Sequence, residues 1–315
     1  MDSSSGFGTR VRRWWEAAGE AALVCEIAAD YVSALRAGER GVEAWAVEPL
    51  PDGAVQPGSL SENIPNANNV ADALGRAVRA VGNGRRHCAL LVPDLVARVA
   101  LLEFENLPDK PEEADALVRW RLGRDLPFDL KQAAVSFERQ PGRGAAHDVV
   151  AVVAVRTLLH SYEECVERVG LQPAWVTLST LAAADYLGDG SPRLLVKRDL
   201  GSLGLAISHD GRTRFFRSLP LPPAKRPGFV EPLFEKIYPA LVYFQDQWNQ
   251  SVGEAIWVGP GGDGAALAEL LERETGCKLS HLSFGEHTLP RAATGDASAD
   301  RRLLPALGWA RREME

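Results

Sequence analysis

The sequence has little from which to build covalent or metal cross-links. Its four cysteines, Cys25, Cys88, Cys165 and Cys277, lie far apart and never in CxxC spacing. That excludes a disulfide framework and a zinc knuckle, and it suits a reducing compartment. No run approaches the roughly 18 consecutive apolar residues of a membrane-spanning helix. The start lacks the short apolar stretch and cleavage site of a secretory signal, so the expectation is a cytoplasmic protein. Positive charge is not in excess either. A formal net charge of -7 and a pI near 5.5 argue against a broad footprint for nucleic acid, whose backbone is bound by clustered Lys and Arg. No repeat of solenoid length is found.

What is present is an ordinary globular composition, 46% hydrophobic and 24% charged over 315 residues, enough for two domains or one domain carrying an insertion. One local feature stands out near the start, Arg10-Val11-Arg12-Arg13-Trp14-Trp15. Adjacent cations and indoles suit an anionic lipid interface. The default reading is a solvated helix start or tail whose tryptophans pack on the first strand.

Residues 21–35 read as two strands joined by a tight turn at 28–31. A strand at 42–50 and a turn-rich segment at 51–65 follow, then Asn69 as a cap. Over 70–81, Val70, Ala73, Leu74, Ala77, Val78 and Val81 recur at helical spacing. Strands at 87–93 and 98–104 precede a helix that starts after Pro111 and stops at Pro127. Strands at 133–139 and 149–155 and a helix at 156–169 follow, so 42–155 reads as an α+β unit. In the second half, strands at 194–198, 203–208 and 213–219 form a meander that turns at His209-Asp210-Gly211. A helix at 230–248 despite Pro239, a buried strand at 255–258, a glycine loop at 259–262, a helix at 265–275, a strand at 278–282 and a closing helix at 303–312 complete the chain.

This order of elements, with glycine-containing turns at matching places, resembles the actin-like ATPase superfamily and, within it, the PilM proteins of type IV pilus assembly. The stretches that carry the resemblance are LPDGAVQPGSL, VRWRLGRDLPFD, RVGLQPAWVTLSTLAAADYL and the terminal LLPALGWARR. The resemblance implies an α/β, two-lobed actin-like (ribonuclease H-like) fold with an inserted α+β subdomain of the FtsA/PilM type. Residues 1–41 and 156–192 would form the first lobe, 42–155 the insertion and 193–302 the second lobe, with 303–315 a closing helix returning to the first. It further implies a protein on the inner face of the cell envelope. There it would grip the cytoplasmic N-terminal tail of a PilN-type membrane protein in a groove beside the insertion, and would self-associate as actin relatives do.

In that superfamily two hairpin turns wrap the phosphates of ATP and aspartates hold Mg²⁺ through water. The first turn of PilM proteins has an Asp-Ile-Gly core followed by hydroxyl residues; here the positions read Glu26-Ile27-Ala28-Ala29-Asp30. Alanine lacks the freedom of glycine and offers no hydroxyl, and Asp30 brings a carboxylate to where polyphosphate would sit. At about 5 Å and an effective dielectric near 20, one such pair of like charges costs roughly 3 kcal/mol, more than about a hundredfold in affinity. Direct coordination of Mg²⁺ by Glu26 or Asp30 is the opposing reading. The second turn keeps Asp199-Leu200-Gly201, read either as a remnant phosphate turn or as a strand bend. Gly259, Gly261 and Gly262 resemble adenosine-contacting glycines, or simply lead a strand into a helix. The balance predicts a degenerate nucleotide site, with no catalytic residue and ATP and Mg²⁺ bound weakly or not at all. The alternative is an active ATPase or a sugar-kinase-like phosphotransferase, which needs a carboxylate base and metal ligands in the cleft.

Other groupings carry less. Cys277, His281 and His287 have poor spacing for zinc, and Ser208-His209-Asp210 are neighbours at a hairpin tip rather than a convergent triad. Trp120, Arg121 and Arg124 form a candidate partner-docking face, since Trp and Arg are frequent at binding hot spots; the competing reading puts Trp120 in the core. Phe128 is expected to anchor the following strand, with partner contact as its other reading.

Overall fold

The structure is a computed structural model of the chain. It describes residues 22–38, 41–82, 86–124, 126, 128–140, 146–188, 190–222, 230–259, 261–281 and 299–314. The basic-aromatic segment 10–15, Pro127 and His287 lie outside these.

Two five-stranded sheets share one plan. In the first, β1 (Ala22–Ile27) and β2 (Tyr31–Gly38) form a hairpin, β3 (Gly41–Pro49) extends it, and β4 (His87–Val92) and β8 (Gln172–Leu178) add in parallel on the other side of β1. In the second, β9 (Arg193–Asp199), β10 (Ser202–His209) and β11 (Arg212–Pro220) form the meander, and β12 (Glu254–Val258) and β13 (Lys278–His281) add in parallel beside β9. The topology is thus duplicated without any repeat in sequence. At the meander's tip Asp210 and Gly211 have φ of 52 and 66, the two left-handed residues a tight hairpin turn needs.

Both sheets are covered on both faces, which is why their central strands β1 and β9 are buried along most of their length and mainly apolar, with Glu26 and Lys197 as the buried exceptions. Leu23, Cys25 and Ile27 of β1 face α1 (Ala67–Ala80) and α3 (Arg156–Glu167), while Ala22 and Val24 face the other way. That other face packs on α4 (Ser179–Asp185) and α8 (Leu304–Met314), which also cover Leu195, Ala206 and Ile256 of the second sheet. The far face of the second sheet rests on α5 (Val230–Trp248) and α6 (Gly261–Thr275) through Leu233, Ile237, Phe244, Leu267 and Leu271. The result is helix, sheet, helix, sheet, helix, with α4 and α8 as the shared middle layer. The helix α5 runs through Pro239.

A third sheet, β5-β7-β6, is separate. Its strands β5 (Ala97–Phe104), β6 (Ala133–Arg139) and β7 (His147–Val155) are backed by α2 (Pro111–Leu122) around Phe104, Val118, Val149 and Ala151. This corrects the expected extent of the insertion. The strands β3 and β4 and the helix α1 belong to the first lobe's sheet and its cover, so the separate unit spans 97–155 rather than 42–155. The cap of α1 is Asn66, accepting from the amide of Asn68, rather than Asn69.

The insertion also touches the second lobe. Gln140 donates to the Thr213 carbonyl at 3.1 Å and accepts from the Thr213 amide at 2.6 Å, as a strand neighbour would. Beside it, Arg214 donates to Asp148 at 2.6 Å.

The middle layer is tight. At Gly308 of α8 a Cβ would stand 1.9 Å from the Ala182 carbonyl oxygen of α4, a backbone atom that cannot swing aside. Gly308→Ala is therefore expected to cost at least about 2 kcal/mol, read as a lower urea midpoint.

Candidate functional site

The two lobes meet in a cluster of buried charge. Lys197 lies on β9 in phase with Leu195, so it points into the middle layer and is 1% exposed. Its ammonium makes a short contact with the Asp199 carboxylate on the same strand and stands 3.9 Å from Glu26 at the end of β1. Glu26 is also 1% exposed, accepts from the Ser179 hydroxyl at 2.5 Å and lies beside the Tyr31 hydroxyl. Asp94, in the turn after β4, accepts from the Thr180 amide at 2.9 Å and its hydroxyl at 2.5 Å, capping α4. Across from these, Gly204 of β10 is a close approach: a Cβ there would stand 2.1 Å from the Thr180 hydroxyl and 2.7 Å from Asp94.

Above the cluster opens a cavity of about 280 Å³ lined by Asp30, Tyr31, Lys197, Arg198, Asp199, Gly201, Gly259, Arg301 and Arg302, among others. The short helix α7 (Ala299–Arg302) brings two arginines over it. Arg302 pairs with Asp30 at 3.6 Å and lies 5.0 Å over the Tyr31 ring, and Arg301 donates to the Gly259 carbonyl at 2.8 Å.

Glu26, Asp30, Asp199, Gly201 and Gly259, drawn from three stretches of sequence, thus converge at one place. Gly201 has φ +82 in the β9–β10 turn, a conformation that favours glycine. Gly259 is a close-packing residue, since a Cβ would stand 2.9 Å from the Trp257 ring. Gly261 and Gly262 fall within α6, which begins at Gly261 rather than at 265. Ala28 closes the first turn on itself, its amide donating to the Tyr31 carbonyl at 2.9 Å.

Asp30 does not by itself set the sign of the cavity wall, contrary to expectation. The wall is not simply negative: Lys197, Arg198, Arg301 and Arg302 stand against Asp30 and Asp199. Those four cations are engaged, Lys197 by Asp199, Arg302 by Asp30, Arg301 by Gly259, and Arg198 by a partner of its own. Sequence reasoning passed over Lys197, Asp94, Ser179, Thr180, Arg301 and Arg302. The signal for Lys197 was available, a lysine in the buried phase of the apolar strand LLVKRD.

The second group of candidates lies elsewhere. Trp120 is 58% exposed on α2 with the Arg124 guanidinium 4.2 Å over its ring, which rules out a core position. Arg121 is exposed beside it, and Phe128 packs against the insertion's core. Cys277 is buried, and among the described residues no group of three His, Cys, Asp or Glu side chains is placed to hold a metal.

Two sheets of one topology, facing each other over a shared helical layer with their hairpin turns meeting at a charged cleft, define the two-lobed actin-like fold. The chain is similar to the solved PilM–PilN type IV pilus biogenesis complex at 18% identity, with a TM-score of 0.73 over 93% of this chain and 98% of that one. An actin-like ATPase fold protein of Bacteroides thetaiotaomicron matches at 10% identity and a TM-score of 0.54, over 87% of this chain and 95% of that one. The cytoplasmic domain of EpsL, an inner membrane component of the type II secretion system of Vibrio cholerae, matches at 12% and 0.51, over 91% and 95%. No protein-family model matches the sequence, and no curated protein does.

Burial sets the protonation of the cluster. It pushes the Glu26 carboxyl up to about 7, with Lys197 pulling the other way. Burial opposes the charge of Lys197, but Asp199, Glu26 and Asp94 together outweigh it and leave its pKa raised. Because Glu26 ionises later in the folded than in the unfolded chain, its contribution favours folding at low pH and is lost as pH rises from 4.5 toward 7. That loss amounts to roughly 3 kcal/mol at most. In Glu26→Gln, which keeps an acceptor for Ser179, this part of the slope between pH 5 and 8 should vanish from thermal melts.

Proposed function

We propose that this chain is an actin-like adaptor of a type IV pilus or related secretion machine, binding the cytoplasmic tail of a PilN-type membrane protein. The observation that carries this reading is the likeness to the PilM–PilN complex along 93% of the chain. The likeness to the EpsL domain supports the wider class. The exposed pair Trp120 and Arg124, with Arg121 beside it, is the partner-contact surface in this reading, aromatic and cationic as binding hot spots are. No described helix is long and apolar enough to cross a membrane, so attachment to the inner membrane would come through the partner.

In this reading the protein is a pseudo-ATPase. Small-molecule sites run to roughly 300–1,000 Å³, and the cavity, about 280 Å³, is at the foot of that range with its cations committed to protein groups. The residues therefore do not suit a Mg²⁺-nucleotide: Lys197 holds Asp199, the aspartate that would face the metal, and Ala28 has spent its amide. The four cations on the wall are what favours the other reading, an active ATPase.

Synthetic peptides from the N-terminal tails of membrane proteins encoded in neighbouring genes should retain the full chain in pull-downs. Trp120→Ala with Arg124→Ala should weaken capture at least about tenfold. Capture by none of these tails would sink the adaptor reading. Calorimetric titration with Mg-ATP should show no micromolar binding, and micromolar affinity accompanied by turnover would establish the ATPase instead.

A further inference from the structure

We infer that Lys197 is a built-in ligand of the cleft, its ammonium doing for the carboxylates what an external cation would, so that the second lobe is pinned to the first with nothing bound. This deepens the reading of the cleft as one that holds no nucleotide, and it makes no use of the partner-contact surface.

Three features of the cluster carry it. First, the ammonium belongs to one lobe and part of its counter-charge to the other: Lys197 is on β9 of the second sheet, while Glu26 ends β1 and Asp94 follows β4 of the first. Second, the acceptors are built to stay. Glu26 is fixed by Ser179 and Asp94 by the amide and hydroxyl of Thr180, and Gly204 packs closely against the Asp94–Thr180 pair. Third, Glu26 is buried with only the hydroxyls of Ser179 and Tyr31 as donors beside it, and Lys197 is the cation that favours its ionised form. Isolated ions in such a layer are strongly disfavoured, and removing one partner strands the others. With Lys197 removed, the cluster would hold carboxylates with no cation among them.

The cleft should therefore be closed in the free protein and indifferent to Mg-ATP. It should loosen when the ammonium is taken away, for a reason separable from packing. Lys197→Met keeps the aliphatic stem and loses the charge. A triple variant, Lys197→Met with Glu26→Gln and Asp199→Asn, also removes the two carboxylates within 4 Å of the ammonium. This set cannot form the cross-lobe ion contact, and the one acid it leaves, Asp94, keeps the amide and hydroxyl of Thr180 as donors.

The experiment is amide hydrogen exchange and thermal melting at pH 8 on the full chain. The wild type, Lys197→Met and the triple variant are compared, each with and without Mg-ATP. In the wild type the cleft turns at 28–30 and 200–201 should be protected to the same degree with and without nucleotide. In Lys197→Met the melting temperature should fall, and exchange at those turns should rise at least about tenfold while the centres of β1 and β9 stay protected. The triple variant should regain most of the melting temperature but not the protection at the turns, since neutralising the acids relieves the stranded charge without restoring the pin. If Lys197→Met does not fold, the triple variant carries the same reading.

Unchanged exchange and melting in Lys197→Met would overturn the inference. So would a triple variant that fails to fold or stays as unstable as the single one, because the lysine would then act through packing. Protection in the wild type that rises on adding Mg-ATP would do the same. Each of these leaves the tail-capture result untouched, so a failure of the pin and a failure of the adaptor reading can be told apart.

Discussion

A lysine ammonium cannot be left alone between two sheets. Lys197 reaches the middle layer because strand alternation turns it there, with Leu195 before it and Asp199 after it. Burial without partners would neutralise it or unfold the layer around it. Everything near it is arranged to prevent that: Asp199 on its own strand, Glu26 across the cleft, and Ser179 and Thr180 holding the acids in place. The start of α4 is thus fixed by the same groups that surround the ammonium. The site and the join between the lobes are one piece of chemistry.

That join is also a matter of size. Along α4 and α8 the layer includes Ala182, Ala183, Ala184, Ala306, Gly308 and Ala310 among larger residues such as Leu304, Leu307 and Trp309, and these small positions let the two helices and both sheets approach closely. Gly204 does the same for β10 against Thr180 and Asp94. Small residues at these positions set the distance between the sheets, and that distance leaves a cavity only as large as the turns and α7 allow. The arginines of α7 then spend their donors on Asp30 and on the Gly259 carbonyl. Compactness and charge pairing thus act together to leave the cleft small, with Lys197 and Arg302 paired to its acids.

Strand alternation and helical spacing made most elements legible, including the first hairpin, the meander with its tight tip and the helix that tolerates Pro239. The extent of the insertion was not. A strand such as β3 shows its alternation but not its partner, and its pairing with β2 rather than with the third sheet is a tertiary choice. The short helix α4 was invisible for a related reason. It is buried nearly all round, so its composition has no polar face to mark a period. Of the site, the turns could be found because resemblance pointed to them, and Glu26, Asp30, Asp199, Gly201 and Gly259 do come together. Asp94 and Arg302 could not, because their contacts with Thr180 and Asp30 span distances in sequence that no local pattern records. The sign of the wall's charge was misjudged for the same reason, since the arginines that balance Asp30 and Asp199 arrive from elsewhere in the chain.

The two hydrogen bonds between Gln140 and the Thr213 backbone, with Arg214 on Asp148 beside them, give the insertion a second anchorage. It grows out of the first lobe through the chain itself and is fastened to the second without a covalent link. A unit held at both sides behaves as a strut. Torque that opened the lobes would load these few polar contacts first, so force applied to the insertion is delivered to both halves of the molecule at once.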